Sequence, residues 1–185
     1  MTRGFVASHG YRAGGMGRFV HVEPRLSLTA MSADEWIAPV PGTEALLALA
    51  MAQVIVRLRL APPPADVSRV RALLDAHTPE TVSGRCGVPA ETIERLAREF
   101  AAGPSVALAG GMGAQHAEAH GTAAAVHILN YVAGNVGRTV MFDAGFDPGG
   151  GSTYRRLTEL TAAARGGNIA VLGIPYGVPY ASDTY

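Results

Sequence analysis

Arg18-Phe19-Val20-His21-Val22-Glu23-Pro24 alternates bulky and β-prone residues and then stops at a proline, which predicts a strand of about five residues over 18–23. Downstream, Pro41-Gly42-Thr43-Glu44 is a turn that delivers the chain into a helix over 44–59. Thr43 suits the N-cap, and Glu44 puts negative charge where the helix dipole favours it. The run Ala45 to Val56 has Gln53 as its polar residue, so the helix should be buried on most faces. A bilayer span needs about 20 apolar residues, so this run reads as a core helix. Between strand and helix, Leu26 to Val40 reads as irregular, with Asp34-Glu35-Trp36 in a row.

Working outward, residues 1–17 lack periodicity and carry Gly10, Gly14, Gly15 and Gly17, so they read as a loop without the apolar core of a signal peptide. Pro62-Pro63-Pro64 marks a linker near 61–65. Helices are predicted over 66–76, from Thr78-Pro79-Glu80, and over 89–102, where Ile93, Leu96, Ala97 and Phe100 follow the helical period. Ser105 to Ala109 reads as a short apolar strand, followed by Gly110-Gly111-Met112-Gly113 and a helix over 119–133. A glycine-rich loop over 134–151, a helix over 152–165 and an apolar strand from Ile169 to Ile174 complete the pattern. Strands separated by helices imply crossovers and a mostly parallel sheet, hence an α/β class with a partial parallel sheet and flanking helices over 18–185. Three strands could not cover Leu46, Leu47, Leu49, Met51, Val54, Ile55 and Val56 on every side of one helix. The chain alone is therefore expected to be poorly stable and to look like a piece of a larger α/β protein.

The composition narrows the chemistry. Among 185 residues, 15 arginines balance 15 acidic groups, and lysine is absent. Zero net charge without a charged block argues against nucleic acid as a partner. Without lysine there is no Schiff base and no Walker-type phosphate loop. The single cysteine, Cys86, excludes an intrachain disulfide and an iron–sulfur cluster held by this chain alone.

Candidate chemistry is sparse. Gly110 to Gly113 lies between strand and helix, where a phosphate cradle would sit, but His116 stands where a dinucleotide fingerprint needs its third glycine. His116 and His120 are spaced i, i+4, with His127 near the same face; Ala117 replaces the glutamate of a zincin, so structural or solvent-facing histidines are the expectation. Asp34-Glu35 reads as a solvated acidic turn rather than a catalytic pair. Cys86 has Arg85 beside it but no histidine or aspartate near in sequence, which suits inert packing. Ser27, Ser83, Ser105 and Ser152 lack a nucleophile-elbow pattern. No catalytic residue and no metal ligand is assigned.

Three stretches taken together resemble the molybdopterin oxidoreductases, the large subunits related to dimethyl sulfoxide reductase and formate dehydrogenase. The first is Val20-His21-Val22-Glu23-Pro24-Arg25 with Thr29-Ala30, Ala33-Asp34-Glu35-Trp36 and Pro41-Gly42-Thr43-Glu44. The second is Thr78-Pro79-Glu80 and Cys86-Gly87-Val88-Pro89 with the helix that follows. The third is Ala109-Gly110-Gly111-Met112-Gly113, His116, Gly121 and Ile128-Leu129-Asn130-Tyr131 with Gly134-Asn135-Val136-Gly137. The resemblance spans roughly residues 10–180 and implies a central fragment of such a subunit, an α/β region beside the guanine end of a molybdopterin guanine dinucleotide. By the resemblance, Glu23 and Glu44 would contact the guanine or its ribose, with Pro24, Arg25, Gly42 and Thr43 shaping the pocket. Many members carry aspartate at both acidic positions; glutamate adds a methylene and moves the acceptor outward.

The finer match is to the B-subunit branch of alternative complex III, through Glu23-Pro24-Arg25-Leu26-Ser27-Leu28-Thr29, Pro41-Gly42-Thr43-Glu44 and Gly134-Asn135-Val136-Gly137-Arg138-Thr139-Val140 with Phe142. That resemblance implies a structural, non-catalytic region without its own cofactor. Its parent would work in quinol-linked electron transfer, using iron–sulfur clusters elsewhere. The partners implied are the rest of the parent subunit and other subunits of a membrane-bound respiratory complex, on the extracytoplasmic face of a bacterium. The alternatives are a fragment of a true molybdenum bis-pterin enzyme, whose parent would hold the dinucleotide, and a generic α/β nucleotide-binding module. The family's N-terminal cysteine cluster, molybdenum ligand and C-terminal pterin-binding domain have no counterpart in these 185 residues.

Overall fold

A computed structural model describes residues 16–64, 66–110, 119–142 and 154–167. The chain divides into two units, Met1–Phe142 and Asp143–Tyr185. In the first, β1 (Val20–Val22) leads through a one-turn helix, α1 (Leu28–Met31), to β2 (Glu35–Ile37). Then come α2 (Glu44–Leu58), α3 (Val67–Asp75), α4 (Pro79–Cys86), α5 (Ala90–Ala101) and α6 (Ala119–Val132). In the second unit the described element is α7 (Tyr154–Arg165). The class is α/β, mostly helical, with a small parallel sheet.

β1 and β2 pair in parallel with Val20 opposite Glu35, His21 opposite Trp36 and Val22 opposite Ile37. The β1 strand is shorter than the sequence pattern predicts, and β2 lies in the stretch expected to be irregular. Three residues are too few to show an alternation of their own, so the strand state of β2 is set by its partner. The connection between them is about as short as a parallel crossover allows. Ser27 fixes its helical turn by accepting a hydrogen bond from the Ala30 N–H at 3.2 Å.

The long apolar helix α2 is the hub. On one side Ala48, Leu49, Ala52 and Ile55 pack with Leu74 of α3, Ala97 of α5 and Ala125, Leu129 and Val132 of α6. On the other, Leu47 and Ala50 meet Ile37 of β2, Val82 and Cys86 of α4, and Ile93 and Leu96 of α5. The expectation that this helix lacks cover is therefore wrong, because helices, not strands, supply most of it. The large apolar side chains left at the surface are elsewhere, among them Leu28, Met31, Leu108 and Phe142. Thr43 occupies the cap position of α2 but makes no side-chain cap; its hydroxyl donates back to the Val40 carbonyl at 2.6 Å.

Ser105 to Ala109 does not form the expected strand. The segment leans on one side chain: Asn130 Oδ1 accepts from the Ala107 N–H at 3.0 Å, and Asn130 Nδ2 donates to the Ala107 carbonyl at 2.8 Å. A residue whose N–H and carbonyl point to one edge is extended, so the amide of Asn130 stands in for a strand partner. Gly134, with a φ of 73°, ends α6, and the Asn135 carbonyl gathers the N–H groups of Arg138, Thr139 and Val140. The expected strand from Ile169 to Ile174 and the second half of the loop over 134–151 lie outside the described residues.

Candidate functional site

The acidic end of β1 is the most constrained polar position that the sequence singled out. Glu23 is buried, and its N–H donates to the Ile37 carbonyl at 3.1 Å, extending the parallel ladder by one step. Its own carbonyl accepts from Trp36 Nε1 at 2.7 Å. The carboxylate is engaged as well: His21 Nε2 lies 3.2 Å from Glu23 Oε2. His21 and Glu23 are two apart on one strand, so their side chains leave the same face. The Ser27 hydroxyl, followed by the His21 ring and the Arg25 charge, holds the Glu23 carboxyl below the usual carboxylate range, against the opposing effect of burial.

The other residues assigned by resemblance are arranged around turns. Pro24 is half-buried and Arg25 exposed; the Arg25 carbonyl accepts the Ser27 N–H at 3.0 Å, which tightens the turn leading to α1. Gly42 is exposed with a φ of 81°, a backbone conformation that favours glycine. Thr43 is committed to Val40. Glu44 opens α2, half-buried, with its Oε2 shielded from solvent. The structure thus brings Glu23 together with His21 and Ser27, two residues that the sequence reasoning did not assign to the site. Their signal was available in part, since alternation puts His21 on the face of Glu23. Ser27 arrives through a turn that no periodicity reveals.

Of the remaining candidates, Asp34, Glu35 and Cys86 have structural partners. The Asp34 carboxylate accepts the Phe19 N–H at 2.7 Å. Glu35 takes Arg95 through both guanidinium nitrogens, with Nη1 at 3.1 Å from Oε2, and also takes Arg18, so the two acids do not converge on a common point. Arg95 first, and Arg18 after it, lower the Glu35 carboxyl below its ordinary value. Cys86 is fully buried, with its sulfur accepting the Val88 N–H at 3.5 Å. His120 and His127 are exposed, and His127 packs near the Phe142 ring. His116, Gly111 to Gly113 and Ser152 lie outside the described residues. Among the described residues no three His, Cys, Asp or Glu groups converge as a metal site.

No family model matches the chain. Known proteins do. It is 34% identical over 97 residues to the molybdopterin-binding-like subunit of menaquinone reductase from Nitratidesulfovibrio vulgaris, covering 52% of this chain and 14% of that protein. It is 29% identical over 147 residues to a probable dimethyl sulfoxide reductase chain from Escherichia coli, covering 65% and 18%. A thiosulfate reductase molybdopterin-containing subunit from Salmonella typhimurium is 34% identical over 95 residues, covering 46% and 12%. The chain therefore spans less than a fifth of each curated relative. Among solved structures, acetylene hydratase from Pelobacter acetylenicus shares the fold, with a TM-score of 0.57 and 21% identity over 64% of this chain and 17% of that one. The order of the sequence motifs and these relatives agree: the chain is related to the molybdopterin oxidoreductases, matching one stretch of them.

Proposed function

We propose that this chain is a segment of a molybdopterin oxidoreductase-like subunit in a respiratory complex of the alternative complex III type, and that it serves there as structure rather than chemistry. The observation that carries this reading is the state of Glu23. A guanine would present its N1–H and N2–H to a carboxylate, which must offer both oxygens in one plane. Glu23 instead has its carboxylate beside the His21 ring, at 3.2 Å, with the Ser27 hydroxyl further favouring its charged form. As placed, these residues do not fit the guanine end of a molybdopterin guanine dinucleotide. The relative named as a menaquinone reductase subunit supports a parent that works with other subunits in quinone-linked electron transfer. In this reading the parent is attached to a membrane through those partners, on its extracytoplasmic face. Among the described residues, no helix is long and apolar enough to cross a membrane.

Elemental analysis tests the proposal. The 185-residue chain is expected to hold neither molybdenum nor iron, because one cysteine cannot supply the thiolates of a cluster. The full subunit in its complex is expected to hold iron without molybdenum. Stoichiometric molybdenum in that complex would overturn the structural reading. It would favour the second one, a segment of a true bis-pterin enzyme, which the relatives named as dimethyl sulfoxide and thiosulfate reductases support.

A further inference from the structure

We infer that the extended segment over 105–109 is an open edge that takes a strand from the part of the parent subunit lying outside these 185 residues. The inference rests on the proposed reading of the chain as a segment of a longer subunit. One edge of the segment is firmly held. Ala107 has both its backbone groups on the Asn130 amide, and the Ser105 carbonyl accepts the Thr139 hydroxyl. The Ser105 hydroxyl donates to the Phe100 carbonyl at 2.7 Å and accepts from Asn135 Nδ2 at 3.0 Å. In an extended backbone, the N–H and carbonyl groups of successive residues point to opposite edges. Those of Val106 and Leu108 therefore point away from α6. Among the described residues, neither has a backbone hydrogen-bond partner.

The partner that fits this edge has a definite chemistry. Val106 and Leu108, 47% and 81% exposed, project on one face, and Ala107 lies half-buried on the other. The partner is therefore an extended segment with free N–H groups at its pairing positions and apolar side chains beside Val106 and Leu108. A strand edge that faces water permanently is ordinarily guarded by charge, yet Gly103 to Gly113 carries no charged residue. Because side chains already hold the opposite edge extended, pairing would cost little further ordering. The two described strands, β1 and β2, are spent on each other. The chain spans less than a fifth of each curated relative, so most of a parent of that kind lies elsewhere and can supply the strand.

Amide hydrogen exchange, resolved to single residues, compares the 185-residue chain with the full subunit. In the chain alone, Ala107 is expected to be protected while Val106 and Leu108 exchange freely. In the full subunit, Val106 and Leu108 are expected to slow by at least about a hundredfold. Leu108→Pro removes the outward N–H, so it should leave the melting temperature of the chain alone unchanged and lower that of the full subunit. Leu108→Ile keeps the N–H and the apolar side chain and should lower neither. Free exchange at both residues in the full subunit would overturn the inference, as would an equal loss from Leu108→Pro in chain and subunit. Slowing that appears in the chain alone and grows with its concentration would assign the edge to a second copy, and slowing confined to the assembled complex would assign it to another subunit; either overturns the inference. The structural role is judged separately, by metal content. Molybdenum in a complex whose Val106 and Leu108 are protected would overturn that role and leave this inference standing.

Discussion

Among the described residues, the apolar side chains around α2 are enclosed by four helices and one strand, whereas the sheet beside them is two strands of three residues with Val22 and Trp36 at its surface. The two regions are held by different forces. The helical part relies on non-directional burial, spread over many residues, so each contributes in proportion to the apolar area it removes from water. The sheet relies on a few directed contacts: Trp36 to the Glu23 carbonyl, Asp34 to the Phe19 N–H, and Glu35 to Arg95 and Arg18. Parallel sheets are ordinarily covered on both faces and carry more strands, so a pair this small needs polar pins to hold its register. Loss of one pin should disturb the sheet locally, while loss of one core side chain should weaken the whole unit.

The sharpest way to break this contrast is to truncate one side chain on each side of it. Ile93 is fully buried between α2, α4 and α5, and Leu28 on α1 is 83% exposed. Ile93→Ala is expected to cost about 2–5 kcal/mol through lost burial and the cavity left behind. Leu28→Ala should stay within about 0.5 kcal/mol. Urea denaturation of both variants measures the difference. A large cost at Leu28 would mean that something covers α1 in solution and that the sheet side is as enclosed as the helical side.

What was legible in the sequence divides along the same line. The periods of Ile93, Leu96, Ala97 and Phe100, and the apolar run from Ala45 to Val56, place α5 and α2 to within a residue or two, because helix burial is written in the spacing of the side chains that are buried. The strand β2 was not legible, since Glu35-Trp36-Ile37 becomes a strand only by pairing with β1. Ser105 to Ala109 has the composition of a strand, yet its edge is satisfied by an asparagine 23 residues after Ala107. The cover of α2 is not legible from a count of strands, because helices far apart in the sequence supply most of it. At the candidate site, the acidic residue and its turn were readable, but the occupants of its carboxylate were not, since only a fold brings Ser27 back beside Glu23.

The polar pins can be tested next, with a smaller expected effect. Glu35 is held below its ordinary pKa, chiefly by Arg95 and further by Arg18. A carboxyl with a lowered folded value contributes stability above its unfolded value and loses it as the pH falls through the folded one. The unit should therefore weaken on acidification below the usual carboxylate range, and Glu35→Gln should flatten that part of the pH profile. Because the Arg95 side chain is 40% exposed, solvent screens the pair, and Glu35→Gln at neutral pH should cost only about 1 kcal/mol, less in high salt. Thermal melts from neutral to acid pH, at low and high salt, provide the measurement. An unchanged acid limb in Glu35→Gln would remove the ion network from the account of the sheet.

The smallest effect has the opposite sign and lies at the end of the best-packed helix. Arg59 closes α2 with a φ of 52° and a ψ of 45°, in the left-handed region. Its N–H reaches the Val56 carbonyl at 3.3 Å, and the Leu60 N–H reaches Ile55 at 3.0 Å, the paired bonds by which a helix turns back on itself. Glycine ordinarily fills that position because a β-carbon costs about 1–2 kcal/mol there. Among the described residues, no hydrogen bond or ion pair ties the exposed Arg59 side chain down in exchange. Arg59→Gly should therefore relieve the strain, less the extra freedom it gives the unfolded chain, for a net gain of about 0.5–1 kcal/mol. The burial that encloses α2 would be untouched, so the gain should appear as a shifted denaturation midpoint with an unchanged slope. A loss of stability would mean that the arginine side chain holds the helix end through a contact worth more than the backbone strain. In that case the helical region too would depend on a directed polar pin, and its contrast with the sheet would narrow.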